Sequence, residues 1–201
     1  MLAFDCSNWT GEISFGQVLG ARAAGFTRAI VNIIDPPRAY PASTWRSQVT
    51  SLLALGVEVE AYVYLYLRGD APGQVKWVCD NLRPLEGKVR RLWLDIEDVE
   101  DSSLTTEQRV AAVRLSVEAA QREGYEVGIY TGAWWWNAYM PGVTEFSVLP
   151  LWPAYWDAQQ TLDFVPFGGW NQAVMKQYAG TSTIPTDQGT IKNVDLSFYE
   201  N

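Results

Sequence analysis

The sequence predicts an α/β fold, a small (β/α) barrel whose last helices are reduced or lost. Three observations predict it. Short apolar runs alternate with helical stretches through the first two thirds of the chain, which implies parallel strands with right-handed crossovers. Eight strand candidates fit within 201 residues. The last third keeps strand-like runs but is rich in Gly, Pro and Trp and carries no long amphipathic helix. A doubly wound open sheet is the alternative architecture. It loses support because neither GxGxxG nor GxxxxGK[ST] follows the first strand.

Each element has a local reason. MLAFD opens as a strand ending at Asp5, and GEISFGQVLGARAAGF reads as a helix closed by Gly25. Thr27 to Ile34 is a second buried strand. DPPRAYP reads as loop, because three prolines oppose helix and sheet. A helix from Ser43 to Leu55 has Ser43 as N-cap and Gly56 just past its end. Val57 to Leu67 is the third strand. Asp70 caps a helix with an apolar stripe at Val75, Val78, Cys79 and Leu82. Arg91 to Ile96 is the fourth strand. Thr105 and Gln108 form a capping box for a helix with apolar positions at Val110, Val113, Val117 and Ala120, ended by Gly124. Tyr125 to Thr131 is the fifth strand. VLPLWPAY, QAVMKQY and NVDLSFY complete the set.

Composition removes whole classes of chemistry. The chain fits a single domain, 1–201, with a sizeable core. Net charge is −8, which argues against nucleic-acid binding. No apolar run approaches the roughly 18 residues of a membrane span, so no membrane insertion is expected. The opening residues lack the pattern of a signal peptide. Action where the chain is made, another export route and a removed leader all stay open. There is no histidine, which excludes Ser-His-Asp and Cys-His pairs, HExxH zinc sites and imidazole catalysis. The two cysteines, Cys6 and Cys79, cannot hold zinc alone and are expected as free thiols, too far apart to bridge. Neither a metal nor a cofactor is expected. Chemistry falls to carboxylates, lysines, hydroxyls or tyrosines.

The acids are placed where a barrel does its work. Active sites lie at the C-terminal strand ends. Asp5 ends the first strand, Asp95 and Glu97 end the fourth, and Asp195 ends the eighth, next to the first once a barrel closes. Trp93, Asp95 and Glu97 share one strand face by alternation, while Leu94 and Ile96 take the other and Asp98 points away from Glu97. Crowded carboxylates push one another's pKa values apart, so one stays protonated beside ionised neighbours. That is what glycosidic bond cleavage requires. Solvated loop acids and a divalent-cation site are the other uses of such a cluster.

Ten Trp, ten Tyr and seven Phe suit a large aromatic core, and also a sugar cleft, since flat rings match pyranose faces. Tyr62, Tyr64 and Tyr66 share one strand face and either fill the barrel or line its mouth, Tyr64 being a candidate for substrate contact. Trp134, Trp135 and Trp136 are consecutive and cannot all face inward. Trp134 is the candidate stacking residue in the segment after the fifth strand.

These residues resemble a known family. FDCSNWTG is similar to the D-x-S-x-W-x-G opening of glycoside hydrolase family 25, the Chalaropsis-type lysozymes. LWLDIED resembles its D-x-E strand and GYEVGIYTG its G-x-x-x-G-I-Y-T strand. LWPAYW resembles its L-W-x-A-x-Y segment, and KQYAGT with GTIKNVDLSFY its ending. The resemblance runs from Asp5 to Phe198. It implies an irregular TIM-like (β/α) barrel of about five βα units followed by mainly β strands. It also implies cleavage of the β-1,4 bond between N-acetylmuramic acid and N-acetylglucosamine in peptidoglycan glycan strands, by a monomer acting on the cell wall. Carried over, Glu97 is the acid/base. Asp95 stabilises the reacting centre, directly or by holding the substrate's acetamido group. Asp5 and Asp195 orient these groups and bind sugar, while Tyr62, Tyr130, Trp152 and Gln177 line the cleft. The sequence departs from the family at Val63, where many members carry His, at NIIDPPRAY in place of K-x-x-E-G, and at Ser197 in place of Asn. A glycan-binding domain without turnover, and a glycosidase acting on another N-acetylated polysaccharide, remain the competing functions.

Overall fold

The computed structural model describes residues 1–35, 40–41, 43–85, 87–99 and 103–200. Its strands are β1 (Leu2–Cys6), β2 (Phe26–Asp35), β3 (Tyr40–Pro41), β4 (Glu58–Tyr64), β5 (Val89–Asp95), β6 (Glu126–Thr131), β7 (Leu151–Pro153), β8 (Met175–Thr186) and β9 (Gly189–Tyr199). The helices are α1 (Phe15–Ala23), α2 (Trp45–Ala54), α3 (Ala71–Leu82), α4 (Thr106–Arg122) and α5 (Ala133–Tyr139). One curled sheet runs in the order β7-β6-β5-β4-β2-β1-β9-β8, with β3 paired to β2. Five strand–helix units therefore precede a mainly β remainder, as expected.

The closure differs from a regular barrel. β1, β2, β4, β5, β6 and β7 are mutually parallel, but β9 runs antiparallel to β1 and to β8. The cause is the tight β8–β9 hairpin, where Thr186 pairs with Gly189 and turns the chain back. Asp195 therefore does not end its strand: it lies inside β9, directly opposite Asp5. β7 is only three residues long, so β7 and β8 meet through little more than the Ala154–Gln177 bridge and the Val174 N–H to Leu151 C=O bond (3.0 Å). The sheet is a half-barrel with a thin seam, and the TIM description is approximate.

Several boundaries move for local reasons. The capping boxes are Ser14/Gln17 at α1 and Thr105/Gln108 at α4, the latter as expected. Ser43 does not cap α2: Thr44 takes the N-cap position, without a side-chain capping bond, and Ser43 gives its N–H and hydroxyl to Asn8 Oδ1 (3.0 and 2.7 Å). The third predicted strand stops at Tyr64, because the backbone of Tyr66 pairs with the Gln74 side chain instead of the sheet. Tyr66 thus leaves the face it shares with Tyr62 in an ideal strand. In the predicted DPPRAYP loop, 36–39 lie outside the described residues, and Tyr40–Pro41 pairs at the edge of β2. The three consecutive tryptophans sit on α5 rather than in a loop. Cys6 and Cys79 are free and buried. Among the described residues, no helix is long and apolar enough to cross a membrane.

Two packed layers flank the sheet. The larger core lies between its outer face and the helices, with Leu94 and Ile96 fully buried there. The smaller one fills the curl: Ala3, Ile30, Trp93, Tyr130, Trp152, Met175 and Tyr199. Its rings pack together, Trp93 edge to face on Trp152 at 5.5 Å between centroids and Tyr130 tilted against Trp152 at 4.5 Å. Trp93 finds room because its neighbour across the ladder is Gly128, where a Cβ would overlap the indole. Gly128→Ala should destabilise the protein by about 1–3 kcal/mol through overpacking. Thermal melts test this, and an unchanged Tm would show that the inner core yields more easily than argued.

Candidate active site

The inner core ends in a carboxylate cluster at the sheet rim. A cavity of about 70 Å³ is lined by Asp5, Asp95, Glu97 and Asp195, with Tyr62, Tyr130, Trp152 and Gln177 completing its wall. These are eight of the ten residues singled out from sequence. Their strands explain the convergence. β1 and β9 set Asp5 against Asp195. β5 carries Asp95 at its end, and Glu97 lies two residues beyond. β4, β6, β7 and β8 supply the four wall residues.

The other two candidates lie apart from this lining. Tyr64 is half-buried beside Asp95 in the β4–β5 ladder but is not in the cavity wall. Trp134 is 57 % exposed on α5, whereas Trp135 and Trp136 are buried, so it is the outward member of its triplet. Asp98, as alternation predicts, does not line the cavity. It is buried, and its carbonyl accepts the Trp135 indole N–H (3.0 Å).

Electrostatics follow from burial and crowding. No basic side chain lines the cavity among the described residues. Burial first, then Asp195, pushes Glu97 up to about 7. Burial, followed by Glu97 and Asp5, holds Asp95 well above the usual carboxylate range. Asp5 is raised by burial and by Asp195, and Asp195 chiefly by burial. The hydroxyls of the partly buried Tyr62 and the buried Tyr130 are also raised, chiefly by desolvation, so they stay neutral donors near neutrality. Asp95 Oδ1 is buried with no hydrogen-bond partner among the described residues. A cluster of this kind holds shared protons near neutral pH beside ionised groups, which is the equipment for donating a proton and retrieving it.

Gln177 ties the cluster together. Its Nε2 donates to Asp5 Oδ2 (2.9 Å) and Asp195 Oδ2 (3.3 Å). Its Oε1 accepts from the Tyr130 hydroxyl (2.9 Å) and the Trp156 indole N–H (2.8 Å). A second cavity, about 320 Å³, shares Asp5, Tyr62 and Asp195 and adds Ser7, Trp9, Thr181 and Asn193. Trp9, Trp156, Thr181 and Asn193 were not singled out from sequence. The two tryptophans lie within the segments FDCSNWTG and LWPAYW, and Thr181 and Asn193 within KQYAGT and GTIKNVDLSFY, which was the available signal.

A carboxylate cleft walled by aromatic rings, on a half-barrel sheet, has the build of a glycoside hydrolase. The family model described as "Lysozyme-like protein 1" matches residues 4–178, and the chain belongs to this lysozyme-like family, with relatives among the family 25 glycoside hydrolases. It is 33 % identical over 114 residues to a "Probable GH family 25 lysozyme 2" of Dictyostelium discoideum, covering 56 % of this chain and 53 % of that protein. The chain spans about half the length of the curated relatives it matches. A family GH25 lysozyme from Aspergillus fumigatus has a similar fold at 20 % identity, with a TM-score of 0.79 over 100 % of this chain and 93 % of that one. A muramidase from Trichobolus zukalii aligns with a TM-score of 0.77 at 18 % identity, over 100 % of this chain and 94 % of that one.

Proposed function

We propose that this chain is a single catalytic domain, a lysozyme that hydrolyses the β-1,4 bond from N-acetylmuramic acid to N-acetylglucosamine in peptidoglycan. The observation that carries the reading is the convergence of Asp5, Asp95, Glu97 and Asp195 in one aromatic-walled cavity. Family membership supports it. Glu97, protonated in part near neutrality, gives its proton to the leaving glycosidic oxygen and then takes one from the attacking water. Asp95 supports the positive charge that grows at the sugar's anomeric carbon. Its Oδ1 is buried with no hydrogen-bond partner among the described residues, so no neighbouring donor there offsets the carboxylate's charge. Asp5 and Asp195 keep the cleft negative, which favours the cationic transition state over the neutral substrate.

The test is loss of turbidity of purified cell walls, with mass spectrometry of the fragments. Reducing-end muramic acid is the expected product. Reducing-end glucosamine would move the cut to the other bond, and no release would leave a binding domain.

A further inference from the structure

We propose that Trp156 is a substrate-contacting residue with two separate tasks: its exposed face stacks on a pyranose ring, and its N–H, through Gln177, holds the Asp5–Asp195 pair. This deepens the reading of the site as a glycan-cleaving cleft and rests on it.

Trp156 is 64 % exposed, yet it is fixed in place. Its N–H is bound to Gln177, and a Cβ on Gly180 would lie 2.6 Å from Cζ2 of the indole, so the ring is seated on bare backbone. Beside it, Thr181 has φ of 49°, a left-handed conformation that a β-branched residue rarely adopts. That turn aims the Thr181 N–H at Asp195 Oδ1 (2.6 Å). The β8–β9 register shifts across this segment, between Ala179 and Ser182, and on both sides of it, between Gln177 and Ala179 and between Ser182 and Thr183. One irregular stretch of β8 therefore seats the indole and grips a carboxylate. Strain of this kind persists where the surroundings over-determine it, and it gathers at functional sites.

The amide of Gln177 has no capacity left for sugar. An indole N–H only donates, so the atom facing Trp156 is the oxygen. That oxygen takes two donors, and the nitrogen's two protons go to Asp5 and Asp195. Gln177, a cleft-lining residue, is thereby a positioning residue, and Trp156 is one of the two donors that hold its Oε1. The uncharged N-acetylglucosamine ring, rather than the carboxylate-bearing muramic acid, is the occupant that fits an exposed indole tied to a cavity whose charged lining residues are all acidic.

The experiment compares Trp156→Phe and Trp156→Ala on a soluble tetrasaccharide of alternating N-acetylglucosamine and N-acetylmuramic acid, by initial rates and by calorimetric binding. Thermal melts accompany both, and Trp156→Leu stands in if the Ala variant fails to fold. Phe keeps the ring and loses the N–H, so KM should stay within about twofold while kcat falls about tenfold. Ala also loses the face, so KM should rise a further three- to tenfold or thereabouts. An unchanged kcat in Trp156→Phe, or a wild-type KM in Trp156→Ala, overturns the inference. If the wild type binds the tetrasaccharide but does not cleave it, the hydrolase reading falls. Calorimetry then decides this proposal alone: weaker binding by Ala than by Phe upholds it, and equal binding overturns it. No binding by the wild type overturns both.

Discussion

Glu97→Gln should fold normally and lose at least about a hundredfold in initial lytic rate. General acid/base catalysis is typically worth about 10²–10⁴-fold, and Gln keeps the size of Glu while neither giving nor taking a proton. Glu97 lines the cavity with Asp5, Asp95 and Asp195, and burial with Asp195 nearby lifts it to about 7, where a proton can be both delivered and recovered. The control is its chain neighbour. Asp98 is outside the cavity lining, so Asp98→Asn should change the rate only modestly, although its burial makes a lower Tm possible to read in the same melts. The measurement is turbidity loss over a pH series, with melts to set folding aside. Near wild-type lysis by Glu97→Gln with a dead Asp98→Asn would sink the acid assignment.

That contrast rests on strand alternation, which is also what made the site legible. Trp93, Asp95 and Glu97 at two-residue spacing fix the inward face of β5 without any knowledge of its partners. The capping box at Thr105 is similarly local and is found, and β1 ends at Cys6, one residue past the expected Asp5. The direction of β9 is not local. NVDLSFY has the same alternation read either way, so the sequence could put Asp195 on the inner face but not in the middle of an antiparallel strand. Only the hairpin before it decides that. Tyr64 and Tyr62 are equally plausible by periodicity, and the cavity reaches only Tyr62. Trp156 and Thr181 lie in segments that the resemblance covers, but their placement at the site was not legible for a different reason. They sit where the strand pattern breaks, with Ala158 and Thr181 both at positive φ, and no propensity rule anticipates a β-branched residue there. Gln177 was found as a cleft residue, but its partners come from β1, β6, β9 and the segment after β7, a meeting that only the folded sheet produces.

Asp95→Asn should lose lytic activity by a similar order and gain stability at neutral pH. The catalytic half follows from removing the charge that supports the cationic centre. The stability half follows from the direction of the shifts. Asp5, Asp95, Glu97 and Asp195 are all raised in the folded protein, so between their ordinary values and their folded values the native state binds more protons than the unfolded chain. Stability must then fall as pH rises through that window, and below it the crowding costs nothing because the acids are protonated in both states. For Glu97 the window runs from 4.5 to about 7. At about 1.4 kcal/mol per tenfold change in proton affinity, it alone contributes a loss on the order of 3 kcal/mol across that range. The wild type should therefore melt several degrees lower at pH 8 than at pH 5. Asn at position 95 removes the neighbour that Glu97 and Asp5 repel, and it needs no charge buried beside an unpartnered oxygen. Its Tm at pH 7.5 should exceed the wild type's, and its melting temperature should depend less on pH. An Asp95→Asn variant that melts below wild type at every pH from 5 to 8 would mean that the cluster is held by favourable contacts rather than kept together against its own repulsion, and the proton-sharing argument for Glu97 would lose its basis.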